Sequence, residues 1–335
     1  MFVFCTYFDI RYLSRGLALH ASLVRHAGDF ALHVLCLDEE TKRILDRMAL
    51  PGLVTLSRER LERADPELAR ARTTRSLVEY YFTCTSCLTR HVLDATGAEL
   101  VAYVDADCWF LDSPRPLWDE LGQGAALLIP HRFPPNLMRL EQFGLFNVGL
   151  LLFRNDARGR ACLDWWRERC LEWCGDCWQD GRFADQKYLD DWPERFEGVV
   201  VSRHPGVNVA PWNVDGHDIG RVAGGYRVDG RPLVFYHFHG LRIITPWLFN
   251  PDLPRYERMH IGEPLRALYV GYARELRRQA RRAGAPVGGT ARNEAGAAWG
   301  SALQELWLHR VLLVFDRFSV EVCLGRLWRP LRRRL

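Results

Sequence analysis

Two carboxylates one residue apart, Asp105-Ala106-Asp107, stand where the apolar run 100–104 ends. So placed, they can converge on a hard divalent cation, because Mg²⁺ and Mn²⁺ take oxygen ligands and leave positions for diphosphate oxygens. A cation there would neutralise charge building on a departing nucleotide diphosphate. The same triplet also reads as solvated acids in a strand-end turn, and about one such triplet arises by chance in a chain this long. Context favours the cation. No G-x-G-x-x-G follows a strand-like segment and no Walker A segment occurs, so a phosphate's charge has to be met in another way.

Other residues also have structural readings. His237 closes a later apolar run and fits either a cation ligand or a hydrogen-bonded core histidine. Asp185 and Gln186 read, on their own, as polar residues of a helix surface. Trp212, between Pro211 and Asn213, is the tryptophan placed in a loop, where a sugar face could stack; Trp165 and Trp166 are spaced as core. Cys84, Cys87, Cys170, Cys174 and Cys177 raise structural zinc. Cys170 and Cys174, however, fall at helical spacing in a Trp-rich segment, where cysteine packs as a small hydrophobe, so buried reduced thiols are expected.

These residues need elements to hold them. Apolar runs at 2–6, 31–37, 53–56, 100–104, 126–129, 148–153, 199–202 and 233–237 predict strands. Helical spacing predicts helices after Asp9, over 39–49, 77–94 and 158–173, and again over 258–282. Alternation of the two predicts an α/β fold, a mainly parallel sheet with helices on both faces and a helical C-terminal extension. In such sheets ligands bind beyond the carboxyl ends of the strands, which is where Asp105 and Asp107 fall. The expected organisation is a core domain over 1–255, a helical extension over 256–283, a Gly/Ala-rich linker over 284–297 and an amphipathic basic tail over 298–335. In that tail Leu306, Trp307, Val311, Val314, Phe315 and Phe318 predict one apolar helical face flanked by Arg310, Arg317 and Arg326. It would lie on an anionic membrane surface or pack on the protein.

Composition sets outer bounds. With 48% apolar residues the chain can build a large core, and a net charge of +4 is too small to point to nucleic acid. The N-terminus lacks the features of a signal peptide, and no window holds roughly eighteen uninterrupted apolar residues. Ten cysteines in a chain of this size fit a reducing compartment. A cytoplasmic protein is expected, peripheral at the inner face of the membrane if the tail docks there.

The segment Tyr103-Val104-Asp105-Ala106-Asp107, followed by Leu111-Asp112-Ser113-Pro114 and Leu117-Trp118, resembles the DxD region of GT-A-fold glycosyltransferases. The likeness is to glycosyltransferase family eight, which includes glycogenin and bacterial lipopolysaccharide galactosyl- and glucosyltransferases. Phe146-Asn147-Val148-Gly149 is similar to its F-N-x-G segment, Asp185-Gln186 with Leu189 to its D-Q-x-x-L segment, and His237-Phe238-His239-Gly240 with Pro246-Trp247 to its H-F-x-G-x-x-K-P-W motif. The four occur in family order between Tyr103 and Trp247, and the resemblance covers roughly residues 2–250.

The resemblance implies a GT-A-like (Rossmann-like) fold and a hexosyltransferase that uses Mn²⁺ or Mg²⁺. Its donor would be a UDP-sugar, its acceptor a glycan or lipid-linked sugar, and transfer would retain the anomeric configuration. By the same resemblance Asp105, Asp107 and His237 would ligate the metal. Thr6, Tyr7 and Asp9 would meet the base and ribose. Asn147, Asp185 and Gln186 would line the donor sugar, and Gly240 would let backbone approach phosphate. Thr245 stands where the family has its lysine, which makes Arg242 the expected phosphate contact, and Arg75 is the candidate basic residue upstream of the DxD. Trp212 and Asn213 are the acceptor candidates. Two readings compete: an inverting transferase with Asp185 or Asp215 as base, and a non-catalytic zinc or scaffold protein on the same sheet. A nucleotidyltransferase would need a Gly-rich, basic loop after Phe4, which is missing.

Overall fold

The computed structural model describes residues 1–257 and 261–289, and the backbone of 311–314 and 319–322. Eight strands organise the site: β1 (Phe2–Phe8), β2 (Phe30–Cys36), β3 (Leu53–Ser57), β4 (Leu100–Val104), β5 (Cys108–Phe110), β6 (Ala126–Pro130), β7 (Phe146–Arg154) and β8 (Val199–Val201). Seven form one sheet in the order β3-β2-β1-β4-β7-β6-β8, with β7 alone running against the others. Their near-continuous apolar sequence is what burial on both faces requires. On one face Val3, Cys5, Tyr103 and Phe153 pack with residues of the helices Leu77–Thr96 and Ala157–Glu172. On the other, Phe4, Val34, Val104 and Leu152 meet Leu17 and Leu23 of the helix Leu13–His26.

Local chemistry fixes the helix ends. Asp38 caps the helix Glu39–Met48 by accepting from the Thr41 amide at 2.7 Å. Ser76 and Glu79 form a reciprocal capping box at the start of Leu77–Thr96, and Gly97 closes that helix in the left-handed region. Such caps contribute about 1 kcal/mol each. Asp9 differs from expectation: it caps a single 3-10 turn, Ile10–Tyr12, and the helix Leu13–His26 follows.

Several elements went unread in the sequence. The helices Arg58–Ala64 and Pro66–Thr74 lie between β3 and the long helix. β5 pairs antiparallel with the strand Phe235–His237, outside the main sheet. The meander Ile219–Val222, Gly225–Val228, Arg231–Pro232 forms a third small sheet.

The expected helical extension forms at Leu265–Ala283 and belongs to the body of the protein. Its Tyr269 and Tyr272 are buried with Tyr236 and Phe238, and the Phe238 and Tyr272 rings stack at 3.7 Å. Within the expected linker, Val287 is buried in the same cluster, while 290–297 lie outside the described residues. The tail needs correction. Val311–Val314 and Ser319–Val322 are strands of an antiparallel sheet that continues from Arg242–Thr245 and Leu248–Asn250. The short apolar run Val311–Val314 suits pairing with the edge that Leu248–Asn250 offers. Val311 and Val314, placed on that expected helical face, lie in a strand instead, while Leu306, Trp307, Phe315 and Phe318 lie outside the described residues. Residues 298–310, 315–318 and 323–335 lie outside the described residues. Among the described residues no helix is long and apolar enough to cross a membrane.

Candidate active site

The carboxyl end of β4 delivers Asp105, whose amide donates to the Gly149 carbonyl of β7 at 2.9 Å. The chain turns at once, Cys108 N–H donating to Asp105 O at 3.0 Å, and enters β5. Pairing of β5 with Phe235–His237 sets His237 opposite Cys108, and the Phe238 amide donates to Asp107 O at 3.0 Å. Three side chains far apart in sequence thereby meet. His237 Nε2 lies 3.1 Å from Asp107 Oδ1 and 3.6 Å from Asp105 Oδ2. Neighbouring ligands on a cation bonded at about 2.1 Å stand about 3 Å apart, so these separations suit one shared coordination shell. Tyr103 steadies the set, its hydroxyl donating to Asp105 Oδ1 at 2.7 Å.

Electrostatics agree with that spacing. Burial pushes Asp107 up, but the charge and hydrogen bond of His237 override it and hold the carboxyl at about 2. Burial alone would lower His237; the facing carboxylates of Asp107 and Asp105 raise it instead. Asp105 stays raised by burial, against the pull of His237. Among the described residues one metal-capable group is found, Asp107 and His237 with Cys108. The Cys108 thiol, however, donates to Gly149 O at 3.6 Å, and burial holds it well above the usual thiol range. A protonated thiol is a poor ligand for a hard cation, so the oxygen of Asp105 is the better third member. None of the C-x-x-C cysteines enters the group; of nine free cysteines described, eight are buried.

Behind His237 stands Asn147. Its Oδ1 lies 3.3 Å from His237 Nδ1 and accepts from Gly149 N at 3.0 Å and Asn208 Nδ2 at 3.1 Å. An accepting oxygen assigns the proton to Nδ1 and leaves the Nε2 lone pair toward the carboxylates. Gly149 makes room: a Cβ there would fall 2.4 Å from Asn147 Oδ1 and 2.6 Å from His237 Nδ1.

These groups open on a cleft of about 590 Å³. Tyr7, Phe82 and Thr85 line it together with the central Asp105, Asp185 and Gln186, as do Phe133, Phe143, Phe183 and Trp178. Trp166 positions the Asp185 backbone, its indole N–H donating to Asp185 O at 2.7 Å. Burial, aided by the charge of Asp105 and opposed by a hydrogen bond from Thr85, pushes the Asp185 carboxyl up to about 7. Gln186 is held at both ends: Nε2 donates to Phe143 O at 3.0 Å, and Oε1 accepts from Asn147 Nδ2 at 3.2 Å. Gly144, at φ 140°, leaves it space, since a Cβ there would lie 2.9 Å from Gln186 Cγ.

Not every expected residue reaches the cleft. Thr6 sits on the opposite face of β1 from Tyr7, wholly buried, as the two-residue period of a strand dictates. Asp9 is ion-paired with Arg11 at 2.7 Å and accepts from the Tyr81 hydroxyl at 3.4 Å, outside the lining. Arg75 donates to Thr83 and to the carbonyls of Cys170 and Leu171, where it serves the last turn of Ala157–Glu172, and it does not line the cleft. Arg242 faces Asp252 at 3.7 Å and does not line the cleft. Gly240, at φ 75°, meets a backbone requirement and also stays outside the lining.

Trp212 lines the cleft, yet it is 3% exposed, its indole donating to His131 O at 3.0 Å and its ring edge-on to His237 and His239. It braces the metal-capable cluster and offers no open face. Asn213 is fully buried and bonded to Ala210 N, His131 O and Asn208 O. Among the described residues the tryptophan with an open face is Trp178, 52% exposed, beside an Asp180-Gly181 turn with positive φ at both residues. That Asp-Gly pair is a hairpin signal the sequence did carry.

His131, His239, Arg255 and Tyr256 also line the cleft and were missed as site residues. His131 follows β6 at a strand's carboxyl end, where the strand-end rule could have found it. Burial lowers His131 to about 3 and His239 to about 4, so both are neutral imidazoles near pH 7.

No family model matches the chain. Two uncharacterized proteins of Bacillus subtilis (strain 168) are similar to it. YfnD is 30% identical over 281 residues, 83% of this chain and 89% of YfnD. YfnF is 34% identical over 254 residues, 72% of this chain and 82% of YfnF. Among solved structures, the galactosyltransferase LgtC in complex with donor and acceptor sugar analogs is similar at a TM-score of 0.52 and 17% identity, covering 88% of this chain and 99% of that one. An active-site mutant of LgtC with glutamine changed to glutamate is similar at 0.50 and 18%, covering 79% and 99%. The likeness is one of fold, and the fold is GT-A.

Proposed function

We propose that this chain, which belongs to the family of the Bacillus subtilis proteins YfnD and YfnF and carries the GT-A fold, is a metal-dependent glycosyltransferase. It moves a sugar from a nucleotide-diphosphate donor, a UDP-sugar, to a glycan or lipid-linked acceptor. The carrying observation is the convergence of Asp105, Asp107 and His237 Nε2 on one point at a cleft that also holds Asp185 and Gln186. Held by those three side chains, Mn²⁺ or Mg²⁺ would offset the charge of the leaving diphosphate.

The chain's own groups supply the rest. Tyr103 and Asn147 orient Asp105 and His237, so the ligands are set before the donor arrives. Tyr7 takes the base and ribose. Gln186, fixed by Phe143 and Asn147, presents its amide to the donor sugar. Transfer proceeds with retention. The sequence's cysteine usage supports a reducing, cytoplasmic compartment for the reaction.

One observation favours a second reading. The buried Asp185 carboxyl, pushed up to about 7, is suited to take a proton from an acceptor hydroxyl, as an inverting enzyme requires. Asp215, the other candidate base, does not line the cleft. Product anomericity by NMR separates the two. The proposal itself is tested with a panel of nucleotide sugars, measuring Mn²⁺-dependent hydrolysis and thermal stabilisation. Mn²⁺-dependent turnover of one donor is expected; no response to any donor would overturn it.

A further inference from the structure

We propose that Arg255 grips the diphosphate of the donor beside the Asp105–Asp107–His237 cluster. The inference rests on the nucleotide-sugar reading above and names the residue that reading lacks. Asp105, Asp176 and Asp185 line the cleft, and among its lining residues Arg255 is the one lysine or arginine. A ligand bearing two phosphates adds negative charge to a site already rich in it. Beyond a bound cation, the cleft has this guanidinium to meet it.

The backbone carries Arg255 to that place through the 3-10 turn Leu253–Tyr256, where the Arg255 amide donates to Asp252 O at 3.2 Å. Next to it, buried Tyr256 meets Trp212 edge-on at 6.1 Å, and Trp212 in turn meets His237 at 5.3 Å and His239 at 5.5 Å. The turn and the metal-capable cluster are thus fixed to the same wall. Arg255 also lies near enough to His239 for its charge to add to the burial that keeps that imidazole neutral.

The guanidinium is available. Among the described residues Arg255 makes no ion pair, and both neighbouring acids are engaged. Asp252 faces Arg242 at 3.7 Å. Glu257 pairs with Arg139 at 2.8 Å and accepts from Asn136 at 3.1 Å. A planar guanidinium lining a cleft matches phosphate oxygens in a way a single ammonium does not. Arg242, toward which the sequence pointed, has its side chain 47% exposed and outside the cleft.

The test is calorimetric titration of the full chain with UDP and, separately, with inorganic pyrophosphate, each with Mn²⁺. Arg255→Ala is expected to weaken both ligands by about ten- to a hundredfold, the range for lost bonds to a charged group. Arg255→Lys should recover part of the loss, and the thermal midpoint of both variants should stay near wild type because the side chain is exposed. Arg255→Gln repeats the test if the alanine variant is unstable. Unchanged affinity, or a loss carried by Arg242→Ala instead, would overturn the assignment while leaving the enzyme reading intact. A loss confined to UDP would place Arg255 on base or ribose and also overturn it. If wild-type protein binds neither ligand, the diphosphate-donor reading fails and takes this inference with it.

Discussion

Asn147 Oδ1 stands 3.3 Å from His237 Nδ1, and the two meet because Gly149 has no side chain to separate them. The F-N-x-G segment therefore acts on the metal-capable cluster from behind, by holding one nitrogen of the histidine so that the other faces the carboxylates. Gly149→Ala would set a methyl 2.6 Å from that nitrogen and force the ring to move. We expect this variant and Asn147→Ala to lose roughly ten- to a hundredfold in Mn²⁺ affinity, as is usual for groups that orient a metal ligand. Titration followed by electron paramagnetic resonance measures it; wild-type affinity in both variants would show that the bond does not matter.

Asp185 gives a pH dependence of definite sign. Burial raises its carboxyl to about 7, far above an unfolded aspartate at about 4. Between those values the folded state holds the proton that the unfolded chain has released, so this group removes stability as pH rises through the window. Asp185→Asn should therefore gain stability relative to wild type at pH 8 compared with pH 5. Urea unfolding at the two pH values checks it, and a difference independent of pH would mean the carboxyl is not raised.

Gln186 is expected to act on turnover. Replacing it with Ala should reduce kcat by far more than it raises KM for the donor, since the contact strengthens as the anomeric carbon becomes cationic. Gly144→Ala, which intrudes on Gln186 Cγ at 2.9 Å, should produce a milder form of the same pattern. A loss confined to KM would make Gln186 a residue that positions the donor only.

Legibility in the sequence followed the range of the physical signal. Strand and helix alternation was readable because buried runs such as Leu100–Val104 and capped helices such as Leu77–Thr96 announce themselves within a few residues. β5 did not, being three residues whose partner, Phe235–His237, lies far along the chain. Trp212 read as a loop residue, and nothing local showed that His131, His237 and Tyr256 would close around it. Arg255 enters the cleft through tertiary placement, while Arg75 and Arg242 were drawn off by carbonyls and a carboxylate that local sequence does not bring near. In the tail, the run Val311–Val314 is short enough to suit either period, and pairing with Leu248–Asn250 decided for strand.

The cluster of Asp105, Asp107 and His237 is proposed to work through a bound cation. The most direct measurement is turnover of the best nucleotide-sugar donor by wild type and Asp107→Ala, with Mn²⁺ and with chelator, beside a thermal melt of each protein. The account expects chelation to abolish wild-type turnover, and Asp107→Ala to lower it by orders of magnitude while still melting cooperatively. Full turnover in chelator, or in Asp107→Ala, would contradict it.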